Sequence, residues 1–281
     1  MAGVRIVTDS ACDLSERLAQ DNGIVVVPLS IRFGNEELID REELSPMEFW
    51  KRCAESAALP ETSAPPPGAF QAAFEAARDD GCDAVVCVTI SAELSSGTHQ
   101  SALTAAAAVS DFDVRVVDTR TVTMGQGLVA LEVAEAAAAG ADASEVVALA
   151  GRVAGRTHVY GVIGTLDHLQ RGGRIGAARA MLGSMLSIKP VIQVKDGIVA
   201  EESKQRTRSR SLEYMANKVR SAAPFERLAV CDGAAPDIDT FLGLLEGIEI
   251  RRGGILTVEL GPVVGTHTGP STIGVCFELP A

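Results

Sequence analysis

Four short segments of the chain combine hydroxyl side chains with glycine, aspartate or histidine in ways that could hold a small anion. Thr8-Asp9-Ser10 follows a β-branched run, and Thr62 and Ser63 lie in ETSAPPPG. Ser95, Ser96, Gly97 and Thr98 lie in ISAELSSGTHQSA, and His267 stands between Thr266 and Thr268 in GPVVGTHTGP. Hydroxyls can donate, glycine lets a ligand approach the backbone, and the first turn of a helix offers free N–H groups at a partially positive end. Several such segments converging would make a site for one carboxylate or phosphate. Each also has a plainer reading. Ser95 or Ser96 is a good N-cap for the helix that follows, and a histidine between threonines serves equally as a structural donor. His99, His158 and His168 have weaker positions: one turn into a helix, on a strand edge, and on a short helix.

Other chemistries lack their signatures. No G-x-x-x-x-G-K-[ST] phosphate loop and no G-x-S-x-G nucleophile elbow occurs. Gly125-Gln126-Gly127 with Ala130 has the outline of a dinucleotide fingerprint, but TRTVTM separates it from the preceding strand. No His/Asp/Glu cluster has metal-ligand spacing, so neither a metal nor a cofactor is expected. Cys12, Cys53, Cys82, Cys87, Cys231 and Cys276 never form C-x-x-C, and free thiols in a reducing cytoplasm are expected. Base gathers in two stretches, Arg171, Arg174 and Arg179 around Gly172-Gly173, then Lys204, Arg206, Arg208 and Arg210. These form either a solvated face or a docking surface for an acidic or phosphorylated partner.

A chain of 281 residues, 47% hydrophobic and 22% charged, must position these segments. That is enough for a full core in one large domain or two ordinary ones. The balance of 25 basic against 37 acidic groups gives −12, a field that repels nucleic acid and anionic membrane. No apolar run reaches the roughly 18 residues of a membrane span. The N-terminus enters a strand-like run without a signal peptide's basic and apolar regions. A cytoplasmic protein that is not integral to a membrane is expected.

Strand-like runs at Val4–Thr8, Ile24–Pro28, Ala84–Thr89 and Val114–Asp118 alternate with helical segments at Leu14–Gln20, Pro67–Asp80, Ser96–Val109 and Met124–Ala139. Continuous apolar strands separated by helices predict a parallel sheet covered on both faces. Ligands of such sheets bind beyond the carboxyl ends of the strands, where the hydroxyl-bearing loops fall. Further strands are expected at Val159–Ile163, Ile188–Val194, Ile198–Ser203, Leu228–Cys231, Ile248–Val258 and Ile273–Phe277, with a hairpin at Lys195-Asp196-Gly197. The expected fold class is α/β in two domains. A parallel-sheet α/β domain covers 1–156 and an α+β domain covers 157–281, with the polar stretch Ala150–Thr157 as the boundary.

Seven blocks, in order along essentially the whole chain, resemble those of the DegV family of fatty-acid-binding proteins. They are IVTDSACDLS at Ile6–Ser15, TSAPPPGAF, LSSGTHQSA, VDTRTVTMGQGL, LQRGGRI, LGSMLSIKPVIQVKDG and GPVVGTHTGP. The resemblance implies a lipid tunnel between the two domains. It implies a carrier, not an enzyme, that binds a long-chain fatty acid and presents it to a separate fatty acid kinase. It places the carboxylate on Thr62, with Ser63 beside it, and on the Ser95/Ser96-Gly97 turn, with His267 in the same network. It links Arg174 and Arg206 to kinase docking. The family usually has one serine before Gly-Thr where this chain has two. Counting from the left selects Ser95; counting from the right selects Ser96, which the longer right-hand flank favours. The rival reading is an enzyme using His267 as general base on a small acyl or phosphoryl substrate.

Overall fold

The computed structural model describes residues 3–56 and 59–281, without the side chains of residues 183–187. Met1, Ala2 and part of the LGSMLSIKPVIQVKDG block therefore lie outside the described residues. The first half runs β1 (Val4–Asp9), α1 (Glu16–Asp21), β2 (Ile24–Val27), β3 (Ser30–Phe33), β4 (Glu36–Ile39), α2 (Pro46–Glu55), β5 (Glu61–Ser63), α3 (Pro67–Asp79), β6 (Ala84–Thr89), α4 (Ser96–Ala108), β7 (Asp113–Asp118), α5 (Met124–Ala138) and α6 (Ala143–Arg156). The second runs β8 (Thr157–Val162), α7 (Asp167–Arg171), β9 (Lys189–Lys195), β10 (Ile198–Gln205), α8 (Arg208–Ala222), β11 (Arg227–Gly233), α9 (Ile238–Leu244), β12 (Ile255–Glu259), α10 (Pro262–Thr268) and β13 (Thr272–Glu278).

The apolar runs of the first half form the expected parallel sheet, in the order β2-β1-β6-β7. Every residue of β6 is buried, as a central strand covered on both faces requires. The second half builds a six-stranded mixed sheet, β10-β9-β8-β13-β11-β12, in which β11 and β12 pair in parallel and the other neighbours run antiparallel. Asp196 at φ 52° and Gly197 at φ 83° turn the β9–β10 hairpin, the backbone that an Asp-Gly pair supplies.

Three features differ in detail from the sequence reading or are absent from it. β3, β4 and β5 form a small antiparallel sheet, with Gly34-Asn35 turning the β3–β4 hairpin. Strands of three or four residues are too short for periodicity to reveal. The strand expected over Ile248–Val258 is only Ile255–Glu259, because the chain bends through 251–254 with Gly253 at φ 76°. Ala150–Thr157, the expected boundary, is helical up to its last residue. Its residues through Arg156 complete α6, whose Asp142/Glu145 capping box lies upstream and whose Ala150 and Val153 are fully buried.

α5 joins the two sheets. It is buried from Met124 to Leu131 and again at Val133 and Ala134, which demands cover on all sides. β1 and β6 pack on it from one sheet, and β8, β11 and β13 from the other. One apolar core consequently runs from Ile6 and Val86 through Leu128 to Ala229 and Cys276. The Gly125-Gln126-Gly127 outline now has a packing reason. A Cβ on Gly127 would lie 2.8 Å from the Cys12 carbonyl oxygen, and one on Gly125 would lie 2.2 Å from Thr121 Oγ1. All six cysteines are free, and no helix among the described residues is long and apolar enough to cross a membrane.

Candidate functional site

A cavity of about 810 Å³, counting the part that opens to solvent, lies between the two sheets. Val159, Gly161 and Ile163, at alternate positions along β8 and its end, share one face of the strand and line it, with Ile192 and Val194 of β9 alongside. Gly161 pairs with Gly274 across β8 and β13, so the floor carries no side chains there. Leu29 and Ile90 close the cavity from the first half, and Val263 and Val264 from α10.

Of the residues that the family resemblance assigns to binding or docking, Thr62, Ser95, Arg174 and His267 border this space. Thr62 Oγ1 lies 2.9 Å from His267 Nε2, although β5 and α10 are distant in the chain. Successive strand residues face opposite ways, so Ser63, paired with Ser30, does not share the cavity with Thr62. Ser95 holds the N-cap position of α4, but its hydroxyl makes no capping bond and lies 2.9 Å from Thr98 Oγ1. Ser96 and Gly97 are exposed and do not border the cavity. Ser95, and not the Ser96 that the longer flank favours, is thus the serine that borders the cavity. Gly97 has a packing task, since a Cβ there would lie 3.2 Å from Ala64 Cβ.

His267 is set by close packing. α10 starts with Pro262 and lies flat on α2 because Gly265 has no side chain; a Cβ there would be 2.7 Å from Phe49 Cε1 and 2.8 Å from Trp50 Cη2. Burial, then the charges of Arg174 and His168, pushes His267 down to about 4, so its imidazole is neutral at pH 7. Nδ1 has no partner among the described residues and abuts Gly172, where a Cβ would lie 2.2 Å away. Gly172 is a positioning residue that the sequence reading misses, although the Gly172-Gly173 pair marks it. Gly172→Ala should swing the ring off Thr62, costing about 1–3 kcal/mol of stability and weakening ligand binding about tenfold. Thermal melts and a binding titration check both; unchanged binding would detach His267 from the ligand.

The same shift has a stability consequence. Between pH 4 and 6.5 the unfolded chain holds a proton on His267 that the folded chain does not. This contribution is full above pH 6.5 and is lost as pH falls through the window. His267→Gln should accordingly reduce the loss of stability between pH 7 and pH 4.5 in denaturant melts; an unaltered pH profile contradicts the neutral buried imidazole.

Arg174 differs most from its expected place. It is half-buried at the cavity edge, with Nε donating to the Leu94 carbonyl (3.1 Å) and Nη1 to that of Gly172 (2.7 Å). The guanidinium thus ties the Leu94-Ser95 turn to the glycine beneath His267. Arg206, just after β10, is exposed and outside the cavity. His99 bonds Thr89 Oγ1 (2.9 Å), and His158 lies against Phe277 with ring centres 5.2 Å apart. Asp9 and Ser10 form a buried knot. Asp9 accepts from the backbone of Ala11 and Ile90 and from Gln126, Ser10 accepts from the backbone of Leu29, and burial raises the Asp9 carboxyl to about 6.

Known proteins share this arrangement of sheets. A DegV domain-containing protein of Streptomyces coelicolor is 38% identical over 278 residues, 97% of each chain. The solved fatty-acid-binding DegV family protein of Thermus thermophilus superposes with a TM-score of 0.89 at 32% identity, spanning 99% of this chain and 100% of that one. A fatty-acid-binding protein of Eubacterium ventriosum, which binds stearic acid, superposes with a TM-score of 0.87 at 25% identity over 99% and 98%. The model of the DegV family, described as uncharacterised proteins, matches residues 3–279, so the chain belongs to the DegV family.

Proposed function

We propose that the cavity holds a long-chain fatty acid, its tail along the β8–β9 face and its carboxylate at Thr62, Ser95 and His267, and that the protein is a cytoplasmic carrier without catalysis of its own. The observation that carries this is one largely aliphatic cavity whose lining includes Thr62, Ser95 and the neutral imidazole of His267. Each methylene withdrawn from water contributes about 0.8 kcal/mol, so ~14 supply roughly 11 kcal/mol before ordering costs. The head group then needs only donors. With Nδ1 walled in by Gly172, the imidazole proton is best used on Nε2, where it meets Thr62 Oγ1. That leaves the Thr62 hydroxyl hydrogen for the ligand, and Ser95 can donate likewise while accepting from Thr98. The Arg174 charge at the cavity edge adds to a site suited to a carboxylate. The fatty-acid binding of the Thermus and Eubacterium proteins supports the same ligand class here.

The enzyme reading finds less support. A base held near pH 4 is poorly matched to neutral pH, and among the described residues no carboxylate bonds His267 Nδ1 to orient it as a catalytic triad would require. Titrating delipidated protein with palmitate and with methyl palmitate tests the proposal. The acid should bind at least about tenfold more tightly than the ester. Equal affinity would move the carboxylate elsewhere, and turnover of the ester would revive the enzyme.

Presentation of the bound acid to a fatty acid kinase belongs to the same proposal, with Arg206 on the docking face. Arg206→Ala should leave palmitate affinity intact but slow acyl-phosphate formation when kinase and ATP are supplied, and raised salt should mimic it. Arg174→Ala should lower palmitate affinity as well, because its side chain borders the cavity. Wild-type turnover by Arg206→Ala would end its docking role.

A further inference from the structure

We propose that a second pocket beyond the end of α10, with ionisable and hydroxyl side chains in its lining, binds a phosphate-type oxyanion. His168, Lys189, Arg208, Asp237, Thr268 and Ser271 line it, between the start of β9, the start of α8 and the loop after α10. Thr268 borders this pocket and the aliphatic cavity alike. The inference does not depend on what the cavity holds.

Charge carries the assignment. The pocket's carboxylate, Asp237, is occupied: Arg208 Nε and Nη2 both reach it at 2.9 Å, a bidentate pair that is neutral overall. Lys189 then supplies a positive charge without a carboxylate partner or side-chain hydrogen bond among the described residues. Its backbone is fixed, because β9 pairs Lys189 with Gln205 and Ser211 Oγ donates to the Lys189 carbonyl. In a chain of net charge −12, a lysine left unpaired within a pocket awaits an anion. Ser271, at φ 62° with its N–H bonded to Gly233, presents a hydroxyl at the rim. Gly269 lies flat against His168, where a Cβ would come within 2.8 Å of Nε2, fixing the ring at the wall. The pocket encloses about 790 Å³ counting its open side, room for a phosphate bearing an organic substituent.

Calorimetric titration of the full chain with inorganic phosphate and with glycerol 3-phosphate, at ionic strength matched with chloride, tests this. Saturable binding is expected, weakened about tenfold or more by Lys189→Gln and largely restored by Lys189→Arg. Lys51→Gln, at an exposed lysine paired with Glu48, should bind as wild type does. Tighter binding of the ester would assign a phosphoryl group on a larger molecule, and tighter inorganic phosphate the free ion; both support the pocket. No saturable binding of either probe, or equal affinity in wild type and Lys189→Gln, overturns it, whatever the outcome with fatty acid.

Discussion

A Thr62→Ala/Ser95→Ala protein should bind palmitate about a hundredfold or more weakly than wild type. In the proposed binding mode each substitution removes a hydroxyl donor from the carboxylate, a loss of about 1–3 kcal/mol apiece. The two hydroxyls border one cavity from different elements, β5 and the start of α4. Their effects should nearly add unless the carboxylate re-seats on the remaining one. Thr62→Ala also leaves the His267 Nε2 proton without its acceptor at 2.9 Å, so the single change at Thr62 should cost more than that at Ser95. Ser63→Ala/Ser96→Ala provides the contrast. Neither residue borders the cavity, and that protein should bind as wild type does. Full affinity in the first double variant, measured on protein with an unchanged circular dichroism spectrum, would place the carboxylate elsewhere.

Gly161→Phe should abolish stoichiometric binding of long-chain fatty acid while leaving the protein folded. A Cβ at Gly161 would meet Ile192 Cγ1 at 3.4 Å, an ordinary contact, so Gly161→Ala is expected to fold and to bind. A benzyl group continues in the same direction, on the strand face shared by Val159 and Ile163, and fills the space the tail would take. Filling an existing cavity avoids most of the strain of overpacking a dense core, so the melting temperature should not fall sharply. Binding of one palmitate per chain at wild-type affinity by Gly161→Phe would mean that the tail takes another path.

The sequence was most legible where one periodicity governs a long segment. β6 and α4 lie within a residue of their expected bounds, because a fully buried strand and an alanine-rich helix announce themselves. α6 escaped because its second half is polar on the surface while Ala150 and Val153 face the core. β5 escaped because three residues carry no period, although it is the element that sets Thr62 inward and Ser63 away.

At the site, residue types pointed to hydroxyls and a histidine, but two distinctions needed coordinates. Ser95 and Ser96 are equivalent as letters, and only the entry angle of α4 decides which one meets the cavity. Arg174 is an arginine in a basic segment by sequence; its backbone-bonded place at the cavity edge depends on how the chain after α7 folds back on Leu94 and Gly172. Gly172 illustrates the converse. Its meaning lies in a close approach to His267, 95 positions downstream by numbering, which no local pattern encodes.

The most direct measurement is the lipid content of the wild-type protein as it leaves the cell. Native mass spectrometry, followed by organic extraction and identification of what is released, should find about one long-chain fatty acid per chain, as expected where some 11 kcal/mol of tail burial opposes release. The Gly161→Phe protein prepared in parallel should carry none. Wild-type protein that emerges without fatty acid, and that takes up none when palmitate is supplied, would contradict the carrier account.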